Sequence, residues 1–77
     1  MTDFSDRHPD TRHIMRWFTY DHLPAGPIRG RSQSCAILAE DMVRDLPDGP
    51  ELTAGLRKLL EAKDCFVRAE IASQDQP

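Results

Sequence analysis

Two short segments rich in proline and glycine interrupt this chain, and they limit its possible folds more than any other feature. The first is Pro24-Ala25-Gly26-Pro27 and the second is Leu46-Pro47-Asp48-Gly49-Pro50. Proline lacks a backbone N–H and glycine favours turns, so a helix or strand is expected to stop at each. The chain therefore divides into three segments, each of which must form its own element.

The first segment predicts a short helix. Asp10 or Thr11 can cap its N-terminus. Apolar residues then recur at spacings of three and four: Ile14, Trp17 and Phe18. We expect Trp17 and Phe18 to lie in the core, whereas Tyr20 falls outside this apolar period.

The second and third segments predict two longer helices, from position 28 or 32 to 46 and from 50 to 72. The apolar residues of the second helix share one arc: Cys35, Leu38, Ala39, Met42, Val43 and Leu46. Those of the third also share one arc: Leu52, Leu56, Leu59, Leu60, Phe66 and Val67. Lys63 lies inside the third arc, where it must snorkel, pair with an acid across a helix interface or point into a cavity between subunits.

These elements predict an all-α fold, in which a short N-terminal helix precedes an antiparallel helical hairpin. We expect one domain over residues 10–72, with flexible tails at 1–9 and 73–77; Pro9 ends the first tail. A chain of 77 residues buries only ~60% of its unfolded surface, and two helices with one apolar stripe each enclose a thin core. Assembly into a compact homo-oligomer is therefore expected.

Composition and motifs argue against several functions. No apolar run approaches the roughly 18 residues of a membrane span, and the N-terminus has no signal-peptide pattern, which predicts a cytoplasmic protein. A net charge of -3 disfavours binding to DNA or RNA polymers. The spacing of histidines and cysteines matches no zinc pattern, and no catalytic motif is present. We therefore expect neither an enzyme nor a cofactor or metal site.

The segment Arg29-Gly30-Arg31-Ser32-Gln33-Ser34 is a candidate anion site, because it precedes or opens the second helix. Free N–H groups at a helix start, hydroxyls and guanidinium groups together suit a phosphate. The alternative is that Ser32 or Ser34 only caps the helix and the arginines are solvated. Tyr20 either stacks on a base or packs at a subunit boundary.

Four stretches resemble a phage protein family in their order and spacing: residues 18–24 (FTYDHLP), 37–42 (ILAEDM), 46–52 (LPDGPEL) and 55–69 (GLRKLLEAKDCFVRA). The family is the small helical-hairpin proteins known as anti-CBASS sponges, which sequester cyclic oligonucleotide signals. The resemblance is closest to the branch carried by phages of actinobacteria and covers residues 10–72.

The resemblance implies a homo-oligomer, a hexamer in the known type. It implies binding of cyclic dinucleotides, such as cyclic GMP-AMP, and in many members of cyclic trinucleotides. The ligand is held without cleavage in the cytoplasm of the infected bacterium, which blocks CBASS-type immunity. Such a ligand is small, so overall negative charge is no obstacle if the pocket itself is positive.

Within this resemblance, Tyr20 stacks on a base, and Arg31 with Ser32 or Ser34 contacts phosphate and base. Beside these we place Arg29 as a second phosphate partner and His22 as compensation for the neighbouring Asp21. Lys63 adds a possible charge between subunits. The candidate ligand-binding set is Tyr20, His22, Arg29, Arg31, Ser32, Ser34 and Lys63.

A rival interpretation is a phage helical hairpin that binds a host protein and no small ligand. Ile37 and Cys65 favour it, because both lie off the main apolar arcs.

Overall fold

The computed structural model describes residues 4–74, and these residues form helices and loops with no strand. The elements are α1 (Pro9–Met15), a 3₁₀ turn (Arg16–Phe18), α2 (Pro27–Asp45) and α3 (Pro50–Gln74). α2 and α3 form an antiparallel hairpin, since Arg31 near the start of α2 reaches Glu70 near the end of α3. α1 contacts α3, and the 3₁₀ turn contacts α2. The predicted all-helical fold with three helices is confirmed.

α2 begins at Pro27, one residue before the first of the two predicted starts and five before the second. Pro27 occupies its first turn, where the fixed φ of proline suits a helix. Gly26 precedes it with a φ of 143°, a conformation that L side chains rarely adopt. Ser32 therefore lies inside the helix, only 3% exposed, and the prediction that Ser32 or Ser34 caps this helix is wrong.

α1 also begins earlier than predicted. His8 is its N-cap, and the His8 Nδ1 accepts a hydrogen bond of 3.1 Å from the backbone N–H of Asp10. Pro9 follows as the first helical residue, so Pro9 opens a helix and does not end a tail. Thr11, the other predicted cap, is fully buried, and its hydroxyl donates to Asp48 Oδ1 at 2.8 Å.

The segment before α1 is attached to the hairpin. Phe4 is half-buried and packs against the core. The guanidinium of Arg7 donates to the carbonyl oxygens of Val43 and Leu46 and pairs with Asp48 at 3.1 Å. The region predicted as a flexible N-terminal tail thus has specific contacts from Phe4 onward. Residues 1–3 lie outside the described residues.

The predicted C-terminal tail over 73–77 starts within α3. Ser73 and Gln74 are its last two residues, and the Ser73 hydroxyl donates to the backbone carbonyl of Glu70 at 2.7 Å. Residues 75–77 lie outside the part of the chain that the structure describes.

The core is small and lies where the hairpin meets α1 and the 3₁₀ turn. Its buried apolar residues are Ile14, Phe18, Cys35, Ala36, Ala39, Val43, Leu52 and Leu56. Phe18 and Cys35 were predicted there, but Trp17 is 57% exposed. Trp17 lies in the 3₁₀ turn, and the prediction that it lies in the core is wrong.

Several residues of the predicted apolar arcs stay exposed. These are Leu38, Met42, Leu46 and Phe66. They lie along one side of the hairpin, which therefore retains an apolar surface after folding. No helix within residues 4–74 has both the length and the apolar character needed to cross a membrane.

Candidate functional site

The structure distributes the seven predicted ligand-binding residues over three surface depressions. Three residues line one cleft, two lie together at a neighbouring cleft, and two line a separate groove.

The cleft that contains three of the predicted residues has a volume of about 450 Å³, and we call it the basic cleft. His22 comes from the loop after the 3₁₀ turn, Ser32 from α2 and Lys63 from α3. Ser32 is almost fully buried, so its hydroxyl lies low on the wall of the cleft. These three residues are distant in sequence and meet only because the loop folds back over the hairpin.

Three further side chains of the basic cleft were not in the predicted set: Arg16, Trp17 and Arg68. Arg68 is exposed and shares a flank of α3 with Asp64 at helical spacing, and that pattern was available in the sequence. The sequence offered no comparable signal for Arg16, whose position depends on the 3₁₀ turn.

Positive charge dominates the basic cleft among the described residues. Arg16, Lys63 and Arg68 line it, against the single carboxylate of Asp64. Lys63 Nζ lies 3.2 Å from Asp64 Oδ1, and the Lys63 side chain is only 16% exposed. Lys63 therefore pairs with an acid, but this acid is its neighbour on the same helix and not one across a helix interface, as one predicted alternative had it. An Arg68 N–H donates to the Cys65 sulfur at 3.4 Å.

Tyr20 lines a second cleft, the Tyr20 cleft, of about 800 Å³. The guanidinium carbon of Arg29 lies 5.8 Å from the centroid of the Tyr20 ring, within the range of a cation–π contact. Tyr20 is half-buried and packs against the core, so one part of its ring is already used within the chain. The structure thus brings together two of the predicted residues.

The Tyr20 cleft and the basic cleft adjoin, because Arg16 and Thr19 line both. Their charges differ. Asp21 and Glu40 line the Tyr20 cleft and offset its arginines, whereas the basic cleft retains a positive excess. A phosphate is therefore better accommodated in the basic cleft, with an aromatic surface available on each side of the shared wall.

Arg31 and Ser34 lie elsewhere. Arg31 Nε donates to Glu70 Oε1 at 3.0 Å, and the Glu70 side chain is only 13% exposed. This ion pair joins α2 to α3 at the open end of the hairpin. The cleft that holds Arg31 and Ser34 shares no lining residue with the basic cleft, so the structure does not bring this pair together with Tyr20.

That second side of the hairpin carries two connected cavities, of about 510 and 600 Å³, which we call the apolar groove. Leu38 and Leu59 line both cavities. Met42, Leu46 and Gly55 line the part near the α2–α3 turn, and Phe66 and Ala69 line the other part.

The two cysteines are free thiols. Burial raises the pKa of the Cys35 thiol, and the nearby charge of Lys63 opposes that rise only in part. Cys35 is thus a protonated core residue at neutral pH. Within residues 4–74, no group of three or more His, Cys, Asp and Glu side chains is arranged to hold a metal ion.

Comparisons of this chain with protein-family models, curated proteins and solved structures give no match.

Proposed function

We propose that this protein binds cyclic di- and trinucleotides and sequesters them without cleaving them. In this proposal it acts as a homo-oligomer, a hexamer by the resemblance, in the cytoplasm of an infected bacterium, and it blocks CBASS-type immunity. The observation that carries the proposal is the basic cleft, in which Arg16, Lys63 and Arg68 converge beside the exposed ring of Trp17.

The phosphate part of the argument rests on charge and geometry. A phosphodiester carries its negative charge on oxygens that only accept hydrogen bonds. Its recognition therefore depends on cations and hydrogen-bond donors around these oxygens. Arg68 and Arg16 supply guanidinium groups, and Ser32 and His22 supply further donors along the same cleft. Lys63 adds a charge that Asp64 partly offsets.

The base part of the argument rests on the two aromatic residues on either side of the shared wall. Trp17 presents a largely exposed ring at the basic cleft, and Tyr20 lies in the adjoining cleft with Arg29 over its ring. Stacking of a base on an aromatic side chain contributes ~1–3 kcal/mol in proteins that bind single strands. A cyclic dinucleotide offers two bases and two phosphates, which matches this pairing of surfaces.

Sequestration without cleavage is consistent with the chemistry of the cleft. Asp64 is the one carboxylate that lines it, and Lys63 holds this carboxylate in an ion pair. The described residues therefore offer the ligand cations and a hydroxyl group, and we expect it to be recovered intact after the protein is denatured.

Titration of labelled cyclic GMP-AMP and a labelled cyclic trinucleotide tests the proposal. Arg68→Gln removes a cation from the cleft and is expected to weaken binding about 10- to 100-fold, as for the loss of a hydrogen bond to a charged group. Arg57→Gln is the matched control, because Arg57 is exposed on α3 and lines none of the three depressions. It should leave the affinity unchanged.

Two aromatic variants locate the bases. Trp17→Ala and Tyr20→Ala are each expected to weaken binding roughly 5- to 150-fold if the ring stacks on a base. If one of the two variants binds the ligand with unchanged affinity, the ring that it lacks is not part of the binding site. A flat titration of the unmodified protein contradicts the proposal and favours the host-protein interpretation, whereas recovery of hydrolysed ligand contradicts sequestration.

A further inference from the structure

α3 carries a stripe of alternating small and large apolar residues along the apolar groove. It consists of Leu52, Gly55, Leu59, Ala62, Phe66 and Ala69. The spacing alternates between three and four residues, which is the heptad pattern of helices that pack along their length. All of these except Ala62 line the apolar groove, and Phe66 is 54% exposed.

The sizes of these side chains alternate with the spacing. The large residues stand at positions 52, 59 and 66, and the small residues stand at 55, 62 and 69. Helices pack closely when a large residue on one faces a small residue on the other. Two copies of the stripe that run antiparallel are therefore complementary in side-chain size.

We propose that a second copy of this chain packs its α3 antiparallel to α3 in the apolar groove, with facing residue numbers that sum to 121. Leu59 then faces Ala62 of the other copy. Phe66, the largest member, faces Gly55, the smallest. Two-fold symmetry repeats each pair on both sides of the axis, so the contact closes on itself.

Gly55 leaves room for a second copy here. A Cβ at Gly55 would meet nothing within 4 Å among the described residues, and its backbone has no positive φ. Gly30 in α2 has the same open surroundings, but Gly55 lies in the apolar groove. The Phe66 ring of a second copy occupies the space that this glycine leaves open.

Charges at the rim permit the same register. The residues that flank the stripe on its open side are offset from the facing residues, so their numbers and those of their neighbours in the other copy sum to 123. Lys58 thus lies next to Cys65 of the other copy, and Glu51 lies next to Ala72. No like charges meet along that edge. Leu38, Met42 and Leu46 of α2 then cover the second helix from the other side, and these are among the large apolar residues that the single chain leaves exposed.

This contact deepens the self-association in the proposed function by giving it a surface and a register, and it does not depend on nucleotide binding. The apolar groove shares no lining residue with the basic cleft. Each copy therefore keeps its basic cleft accessible, and an assembly built on this contact holds one cleft for every chain.

Sedimentation equilibrium without nucleotide, from micromolar to millimolar protein, tests the contact. The unmodified chain of 8.8 kDa is expected to form assemblies with an even number of copies. Gly55→Phe places a ring against Phe66 twice in each pair and should raise the dissociation constant at least about 30-fold. Ala54→Phe is the control, since Ala54 is exposed on α3 outside the groove, and it should leave the assembly unchanged.

The register is tested by exchanging the sizes. Phe66→Ala alone should weaken association, and the double variant Gly55→Phe with Phe66→Ala should regain it, because Phe at 55 then faces Ala at 66. A parallel pair would place Phe against Phe at 55 and would not recover. Circular dichroism verifies that each variant stays helical, as expected from the open space at Gly55.

A monomeric unmodified chain at millimolar concentration overturns the proposal and leaves the groove to a different kind of partner. An assembly that Gly55→Phe leaves intact, or that the double variant fails to restore, also overturns it. Nucleotide titration of the same samples reports on the basic cleft separately, so failure of one proposal is distinguishable from failure of the other.

Discussion

Arg7 satisfies backbone groups that the end of a helix would otherwise leave unpaired. The last carbonyls of a helix have no N–H partner within it, and the Arg7 guanidinium donates to those of Val43 and Leu46. Asp48 completes the cluster, since it accepts from Arg7 Nε and from the Thr11 hydroxyl. The hydrogen bond from Arg7 is the main cause that lowers the pKa of Asp48 to about 2, with further help from Thr11 and the backbone N–H of His8.

The lowered pKa of Asp48 predicts an acid-dependent loss of stability. The folded pKa lies below the unfolded value of about 3.9, so the stabilisation is complete above that value and is lost as pH falls through about 2. We expect Asp48→Asn to lower the free energy of unfolding at pH 7 and to have a smaller effect at pH 2. Urea unfolding at a series of pH values measures both.

Asp45→Asn is the control for that series, because Asp45 is exposed at the end of α2 near the same turn. A loss of stability at pH 7 as large as that of Asp48→Asn would show that any charge at this turn has the same effect. An Asp48→Asn variant with the full acid dependence of the unmodified protein would contradict the assignment to Asp48.

At the scale of elements, Gly26 in the loop before α2 and Gly30 within α2 have different environments. Gly26 adopts a φ of 143° before Pro27, a conformation reserved almost entirely for glycine. Gly30 has helical conformation four residues later, and a Cβ there would meet nothing within 4 Å. One glycine permits the turn, whereas the other only loosens the helix.

The same substitution at these two glycines should therefore have opposite effects. Gly30→Ala is expected to stabilise the protein by about 0.5–1 kcal/mol through helix propensity. Gly26→Ala is expected to destabilise it by about 1–3 kcal/mol through backbone strain. Urea unfolding at one fixed protein concentration measures both, and a shift of the same sign for the two variants would contradict the explanation.

The helices and part of the core could be predicted from the sequence because their causes are local. The breaks at Pro24 and Pro47 delimit the helices, and the periodicity that places Cys35 in the core needs no knowledge of its neighbours. The exposure of Trp17 could not be predicted in this way, since its spacing from Ile14 fits an apolar face as well as that of Phe18 does. The start of α2 depended on whether Pro27 or a serine would open it.

The candidate site was less predictable than the helices because it depends on which side of α2 each residue occupies. Arg29 and Arg31 are two residues apart, yet one lies over Tyr20 and the other pairs with Glu70 across the hairpin. A sequence segment that looks like one basic cluster is thus divided by the helix between two surfaces. The basic cleft formed instead from residues that the chain brings together over long separations.

At the scale of the whole molecule, the hairpin presents two distinct sides. The basic cleft lies on the side covered by the 3₁₀ turn and its loop, and the apolar groove lies on the side that no element of the described chain covers. Within residues 4–74 the core has eight buried apolar residues, and so small a core gives such a chain limited stability on its own. Association through the groove would add apolar burial without closing the cleft.

Stability should therefore depend on protein concentration. If folding is coupled to association, the melting temperature rises with the concentration of chains by mass action. We expect this rise for the unmodified protein and for Ala54→Phe, and a melting temperature independent of concentration for Gly55→Phe. Calorimetry over a hundredfold concentration range measures it, and equal slopes for all three proteins would contradict the prediction.

The contacts of Arg7 and Thr11 with Asp48 have a consequence for the order of events during synthesis. These partners are 41 and 37 residues apart in the chain. At ribosomal rates of roughly 5–20 residues per second, Arg7 and Thr11 are made about 2–8 s before Asp48. The N-terminal segment can therefore dock on Asp48 only after the turn between the other two helices has been translated.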